Sequence, residues 1–220
     1  MFTPREPSTP TPTQPELRTV VDVFERAVAD RPDRVMLRSK VAGAWHPTAF
    51  AQWRTMSVTW ARGLIALGLQ PGDRVGIVSQ TCREWVIADM AVLLAGGVTV
   101  PVYPSALTDE TQYIVRDSGC RFAFAQDPGQ LTKLLDREAM PDLAHVFLFD
   151  DAVRLGSPDA NGRLTLRRQD VLPTSDRYAQ TLAMLADAGR ELGDRVLAER
   201  RAGLASMQAC TIVYTSGTTG

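Results

Sequence analysis

Six consecutive residues at the end of the chain have the types and spacing to bind an anion: Thr215, Ser216, Gly217, Thr218, Thr219 and Gly220. Two glycines let a backbone turn tightly and bring its N–H groups close to a ligand. Four hydroxyls add donors. Phosphate oxygens need many donors in a small volume, and a loop of this kind supplies them. The run is not a Walker A loop, because G-x-x-x-x-G-K-[ST] requires a lysine that this sequence does not reach. It is not a nucleophile elbow either. Gly217 and Gly220 do not flank Ser216 as G-x-S-x-G would, and no histidine is near in sequence. On composition alone a polar turn at the chain end is an equally good reading, since glycine- and threonine-rich stretches are common.

Other reactive residues are sparse. Cys82, Cys120 and Cys210 are far apart, odd in number and without a C-x-x-C pair. They read as reduced, mostly buried thiols, which fits the cytosol. Cys210 stands beside the loop, but an inert cysteine at the start of a buried strand is the plainer reading than a reactive thiol. The two histidines, His46 and His145, leave little material for a zinc site or a histidine-based triad. No catalytic residue and no metal ligand is expected in this stretch of chain. Trp53, Trp60 and Trp85 lie at helical spacings that mark core rather than a ligand platform. Gly96-Gly97 reads as a helix end, because no G-x-G-x-x-G occurs. Arg167-Arg168 and Arg200-Arg201 read as solvated faces. A net charge of -1 over 220 residues gives no electrostatic reason to expect nucleic acid.

A loop of this kind needs a scaffold, and the sequence outlines one. Pro4, Pro7, Pro10, Pro12 and Pro15 mark residues 1–16 as a disordered tail with too little apolar surface to repay ordering. Residues 1–14 have no apolar run, so they do not read as a secretory signal. The domain then occupies residues 17–220. Val20, Phe24 and Val28 predict a helix stopped at Arg31-Pro32-Asp33. Two short strands, Val35 to Leu37 and Ala44 to His46, turn at Ala42-Gly43. Thr48 is placed to cap a long helix whose apolar face runs from Phe50 through Trp53, Met56, Trp60 and Leu64 to Leu67, with Gly68 after it.

From there strands and helices alternate. Val75 to Val78, Val98 to Val102, Phe122 to Ala125 and His145 to Phe149 read as strands. Arg83 to Ala95, Asp109 to Ser118 and Pro128 to Arg137 read as helices. The first of these is nearly apolar all round and should be buried. The apolar run Trp85 to Val102 is broken by Asp89, Gly96, Gly97, Thr99 and Pro101, so it does not read as a membrane span. Asp150 to Pro173 reads as a surface excursion. Ser175 to Arg201 is helical in composition, with a break at Gly189. Cys210 to Tyr214 reads as a final buried strand feeding the loop. The expected fold class is α/β, a mostly parallel sheet flanked by helices.

The string Tyr214-Thr215-Ser216-Gly217-Thr218-Thr219-Gly220, behind Thr211-Ile212-Val213, resembles the phosphate-loop signature of the adenylate-forming (AMP-binding) superfamily. That superfamily comprises acyl-CoA synthetases, luciferases and nonribosomal adenylation domains. Further likeness lies in Gly68-Leu69-Gln70-Pro71-Gly72-Asp73-Arg74-Val75-Gly76-Ile77, in Glu84-Trp85, in Ala95 to Pro104, and in Tyr113-Ile114 with Asp117-Ser118-Gly119. Val100-Pro101-Val102-Tyr103 and the loop itself are most similar to the long-chain fatty acid–CoA ligases. Met207-Gln208-Ala209-Cys210 departs from that branch, which often carries acidic residues there.

The resemblance implies an incomplete N-terminal domain of the adenylate-forming fold, ending inside the phosphate loop and inactive alone. It implies ATP, Mg2+ and CoA as cofactors and a fatty acid as substrate for the complete enzyme. By resemblance Thr215, Ser216, Gly217, Thr218, Thr219 and Gly220 contact the β- and γ-phosphates. A cytoplasmic location, at most peripheral to a membrane, goes with it. Two alternatives stay open: a non-catalytic binding or assembly protein that keeps the early fold, and an adenylating enzyme that loads a carrier protein.

Overall fold

The computed structural model describes residues 18–41, 43–149 and 179–215. Helix α1 (Val20–Asp30) opens with a capping box. The Thr19 hydroxyl accepts the Asp22 N–H at 3.1 Å, and the Asp22 carboxylate accepts the Thr19 N–H at 3.1 Å. Val21 and Phe24, rather than Val20, face the core. Strands β1 (Val35–Val41) and β2 (Ala44–Ala49) form an antiparallel hairpin. Helix α2 (Phe50–Ala66) follows without the expected Thr48 cap. Thr48 is buried in β2 opposite Leu37, because the strand runs on to Ala49. Gln52 Oε1 accepts the Ala49 N–H at 2.9 Å instead.

The central sheet is built from β3 (Arg74–Val78), β4 (Val98–Val102), β5 (Cys120–Ala125), β6 (His145–Leu148) and β7 (Ala179–Thr181). Its order is β4-β3-β5-β6-β7, with every pair parallel. The crossovers are α3 (Arg83–Leu94), α4 (Thr108–Asp117) and α5 (Pro128–Thr132). Two further helices, α6 (Leu182–Ala188) and α7 (Asp194–Ala202), follow β7. The expected fold class is the observed one. The near-continuous apolar runs of the strands are what a sheet covered on both faces requires.

Period-2 alternation along the strands sorts the core into two layers. Ile77, Phe122, Phe124 and Phe147 pack under α1, α2, α3, α6 and α7. Val78, Val100, Ala123, Ala125 and Val146 pack under α4 and α5 with Val115 and Leu131. Trp60 stacks on Phe124 and Phe149 at 6.0 and 6.2 Å between ring centroids, and Phe24 meets Trp53 edge-on at 4.7 Å. Trp53 and Trp60 are buried core and Trp85 packs against it, as their spacing indicates.

Three expectations are corrected here. The region read as helical from Ser175 begins, where described, with strand β7, whose Gln180 is buried beside β6. Three residues of strand inside a helix-like composition carry no period of their own. The break at Gly189 is observed, as the C-cap of α6. Helix α5 stops at Thr132 rather than Arg137. Asp136 Oδ1 accepts the N–H groups of Glu138 and Ala139 at 3.1 and 3.0 Å, a local turn that competes with helix. Third, Cys210 to Tyr214 is not a buried strand. It lies along the outer edge of β4 with a single bridge, Thr99 to Thr211. Cys210 is exposed and Val213 is 58% exposed, because the segment is paired on one side only. The tail at 1–16 and the excursion from Asp150 to Pro173, with Arg167 and Arg168, lie outside the described residues.

Candidate functional site

The chain reverses its winding beside β3. β4 is added on one side of β3 and β5 on the other, with their crossover helices on opposite faces. In open parallel sheets ligands bind outside the carboxyl ends of the strands, near such a switch point. Three loops meet there. The loops after β3 and β5 are tied together by Gln126, whose Oε1 accepts from Ser79 Oγ at 3.2 Å and from the Gln80 N–H at 2.7 Å. The loop after β4 is fixed by Lys133, whose ammonium donates to the carbonyls of Pro104 and Ala106 at 2.9 and 2.7 Å. Glu110 closes it at α4, accepting the Leu107 N–H at 2.9 Å. None of Gln126, Lys133 or Glu110 was singled out from the sequence. Each acts on a backbone far away or on a loop whose shape no local pattern announces.

The segment leading to the loop is delivered to this edge by β4. Thr99 N–H donates to Cys210 O at 3.0 Å, and Ile212 N–H donates to Thr99 O at 2.9 Å. The segment then reaches the end of β4, where the Tyr214 hydroxyl donates to Asp117 Oδ2 at 2.6 Å. The Tyr214 ring stands edge-on to Tyr113, 6.4 Å between centroids. Burial, and then the Asp117 carboxylate that the hydroxyl faces, push the Tyr214 phenol up to about 12.

Tyr214 and Tyr103 stand between two adjoining clefts. One, of 570 Å³, is lined by Tyr103, Asp109, Tyr113, Ile114, Tyr214 and Thr215 among others. The other, of 540 Å³, is lined by Ser79, Gln80, Trp85, Val213 and Tyr214 among others. Thr215 is therefore placed at the carboxyl edge, exposed, at the mouth of a cleft. Ser216, Gly217, Thr218, Thr219 and Gly220 lie outside the described residues. A smaller hollow of 290 Å³ lies at the other end of β4, beside Gly97 and Cys210.

The other two thiols stand at the starts of α3 and β5. Cys82 caps α3, its Sγ accepting the Trp85 N–H at 3.4 Å. Cys120 is buried, and burial pushes its thiol up to about 11. Asp89, on α3, is also pushed up by burial. Among the described residues no group of three or more His, Cys, Asp or Glu side chains could hold a metal ion. Among them, too, no helix is long and apolar enough to cross a membrane.

A doubly wound parallel sheet with Thr215, the first residue of a glycine- and threonine-rich run, at its carboxyl edge is a layout that nucleotide- and phosphate-binding α/β domains share. The comparisons narrow that class. The AMP-binding enzyme family matches residues 24–220, and the chain belongs to that family. It is 32% identical over 199 residues to the long-chain-fatty-acid–CoA ligase FadD15 of Mycobacterium bovis, covering 90% of this chain and 29% of that one. It is 27% identical over 203 residues to the long-chain-fatty-acid–CoA ligase ACSBG2 of Xenopus laevis, covering 92% of this chain and 25% of that one. The chain thus spans between a quarter and a third of the length of these relatives.

Solved structures agree on the fold. The adenylation domain of a carboxylate reductase from Mycobacterium chelonae superposes with a TM-score of 0.64 at 23% identity, over 94% of this chain and 34% of that one. An anthranilate CoA ligase in complex with anthranoyl-AMP gives 0.58 at 19% identity, over 91% of this chain and 32% of that one. At such identities the likeness is one of fold.

Proposed function

We propose that this chain supplies the N-terminal, phosphate-holding part of an ATP-dependent acyl-CoA synthetase acting on fatty acids. In the complete enzyme the fatty acid carboxylate attacks the α-phosphorus of ATP, the bond to the β-phosphate oxygen breaks, and acyl-adenylate and diphosphate form. The CoA thiol then attacks the acyl carbon, losing its proton, and AMP leaves. Both reactants of the first step are anions. The protein must therefore spread phosphate charge over many donors and hold the groups in line. The role of this chain is that one. Thr215, Ser216, Gly217, Thr218, Thr219 and Gly220 would take the β- and γ-phosphates. The described residues offer a magnesium ion no cluster of ligating side chains. When bound, magnesium would supply positive charge at the phosphates. The bond-making groups of either step are not assigned to this chain.

The observation that carries the reading is the delivery of Tyr214-Thr215 along β4 to the mouth of the cleft at the carboxyl edge. The choice of a fatty acid leans on the two ligase relatives and on Val100-Pro101-Val102-Tyr103. The test has two arms. The 220-residue chain alone is expected to release no fatty-acid-dependent pyrophosphate above an enzyme-free control. A chain continued to the length of its relatives is expected to make acyl-CoA from medium or long fatty acids, with ATP and CoA both required. Activation of amino acids or aromatic acids alone would sink the substrate assignment, and turnover by the 220-residue chain would sink the division of labour.

A further inference from the structure

The β1–β2 hairpin has one side that nothing among the described residues covers. Strand pairing sets what stands there. Lys40 lies opposite Trp45 and Arg38 opposite Pro47, and directly opposite residues share a face. All four are exposed, Trp45 by 64%. The other side, with Leu37, Ser39 and Thr48, is buried or half-buried where the hairpin meets α2 and α3. Towards the turn that cover ends, and Val41 is 57% exposed. The end of the hairpin is therefore an apolar tip, Val41 and Trp45, with two cations beside it.

The charge here is one-sided. The chain carries -1 overall, yet no Asp or Glu occurs from Arg34 to Gly72. That stretch holds Arg34, Arg38, Lys40, Arg54 and Arg62. Arg54 pairs with Glu25 and Arg62 with Asp194. Arg38 and Lys40 make no ion pair among the described residues. An exposed apolar tip marks a place that something covers. Unpaired cations around it select an anionic cover. An indole, apolar in body and polar at its N–H, suits the boundary between water and lipid. Lys and Arg reach from such a boundary to the headgroups while their stems stay in apolar surroundings. Nucleic acid would use the cations but leave Val41 in water.

From this face we infer that the β1–β2 hairpin is a docking site for an anionic phospholipid surface. Trp45 and Val41 enter the headgroup boundary, and Arg38 and Lys40 meet the lipid phosphates. The inference stands on the hairpin alone and does not depend on how Thr215 to Gly220 are read.

The test sediments the 220-residue chain with vesicles of phosphatidylserine mixed with phosphatidylcholine, and with vesicles of phosphatidylcholine alone. Single-stranded RNA is offered in parallel. The chain is expected to bind the mixed vesicles, to bind phosphatidylcholine alone far more weakly, and to come off as salt screens the surface. This comparison uses the unaltered chain, so it does not hang on any variant folding. The double variant Arg38→Gln, Lys40→Gln should weaken binding to mixed vesicles about thirtyfold, about fivefold for each cation at an anionic surface. Trp45→Ala should weaken it about tenfold through lost apolar burial. The double variant Arg190→Gln, Arg195→Gln makes the same change of net charge on another exposed surface and should bind as the unaltered chain does. Equal weakening in that control would overturn the inference, since net charge alone would then drive binding. So would failure to bind the mixed vesicles, or binding to RNA in preference to them. A dimer in light scattering that Trp45→Ala dissolves would assign the face to a second copy instead. Loss of vesicle binding in a chain continued to the length of its relatives would assign it to the added chain.

Discussion

Helices α2 and α6 cross at a pair of glycines, and replacing one of them should cost the domain measurable stability. Gly63 on α2 faces the backbone of α6. A Cβ there would fall inside van der Waals contact of the Leu185 carbonyl oxygen and 2.6 Å from Leu185 Cδ1. Gly189, which ends α6, lies as closely on the backbone of Arg62 and Gly63. The obstacle is backbone, so a rotamer change cannot clear it. α6 would have to move by about 1 Å. Two effects compete in Gly63→Ala. Alanine is the better helix former by about 1 kcal/mol. Overpacking costs about 1–3 kcal/mol. The shift of α6 also exposes part of Leu182 and Leu185, now 7% and 0% exposed, each worth about 1.5–3 kcal/mol when fully buried. The net expectation is a loss of about 2 kcal/mol. Urea unfolding followed by tryptophan fluorescence reads it, since Trp60 on α2 stacks on Phe124. Gly76→Ala is the control. Its Cβ would meet Ala123 Cβ at 3.5 Å and Cys120 Sγ at 3.7 Å, ordinary contacts, so its midpoint should stay or rise slightly. Gly63→Ala at or above the unaltered stability would refute the crossing geometry.

Cys210, exposed, should react with a thiol reagent at neutral pH in the folded protein. Cys120, buried and pushed up to about 11, should react only on unfolding; equal rates would contradict the placement of the 210–214 segment. Tyr214 gives a pH signature. Its folded value is raised to about 12, so its contribution to stability is complete below the phenol's ordinary range near 10 and is lost as pH rises through about 12. Tyr214→Phe should flatten the fall in stability between those limits, and an unchanged alkaline limb would argue against a half-buried phenol hydrogen-bonded to Asp117.

Most of the scaffold was legible because it rests on short-range rules. Apolar runs flanked by turns gave β3 to β6, and the apolar faces of α2 and α3 gave their burial. Apart from the early stop of α5, set by the local turn at Asp136, what failed depended on long-range pairing. The sequence Cys210 to Tyr214 has the composition of a core strand, yet whether such a strand is buried depends on what lies on both sides of it. Here β4 occupies one side. β7 is three residues long and exists only because β6 offers an open edge. At the site, Thr215 to Gly220 stood out as a string, and of these Thr215 is described, exposed beside a cleft. Gln126 and Lys133 were not readable, since each acts on a backbone amide or carbonyl remote in sequence.

The two ends of the sheet differ in a way that bears on where binding occurs. At the amino end two arginines close polar contacts across the strand starts. Arg74 donates to the carbonyls of Ser118 and Gly119 at 2.6 and 2.8 Å, and Arg121 pairs with Asp73 at 2.9 Å. At the carboxyl end large apolar side chains stand open: Tyr103 is 75% exposed, Leu107 70% and Tyr113 52%. A second exposed group lies on the β1–β2 hairpin, around Trp45 and Val41. Around Tyr103 and Tyr113 the exposure coincides with two clefts, with loops held by Lys133 and Gln126, and with the arrival of Thr215. Exposed aromatic surface costs free energy in an isolated domain and is tolerated where something else covers it. The carboxyl edge therefore combines an open apolar wall with two clefts and the exposed Thr215.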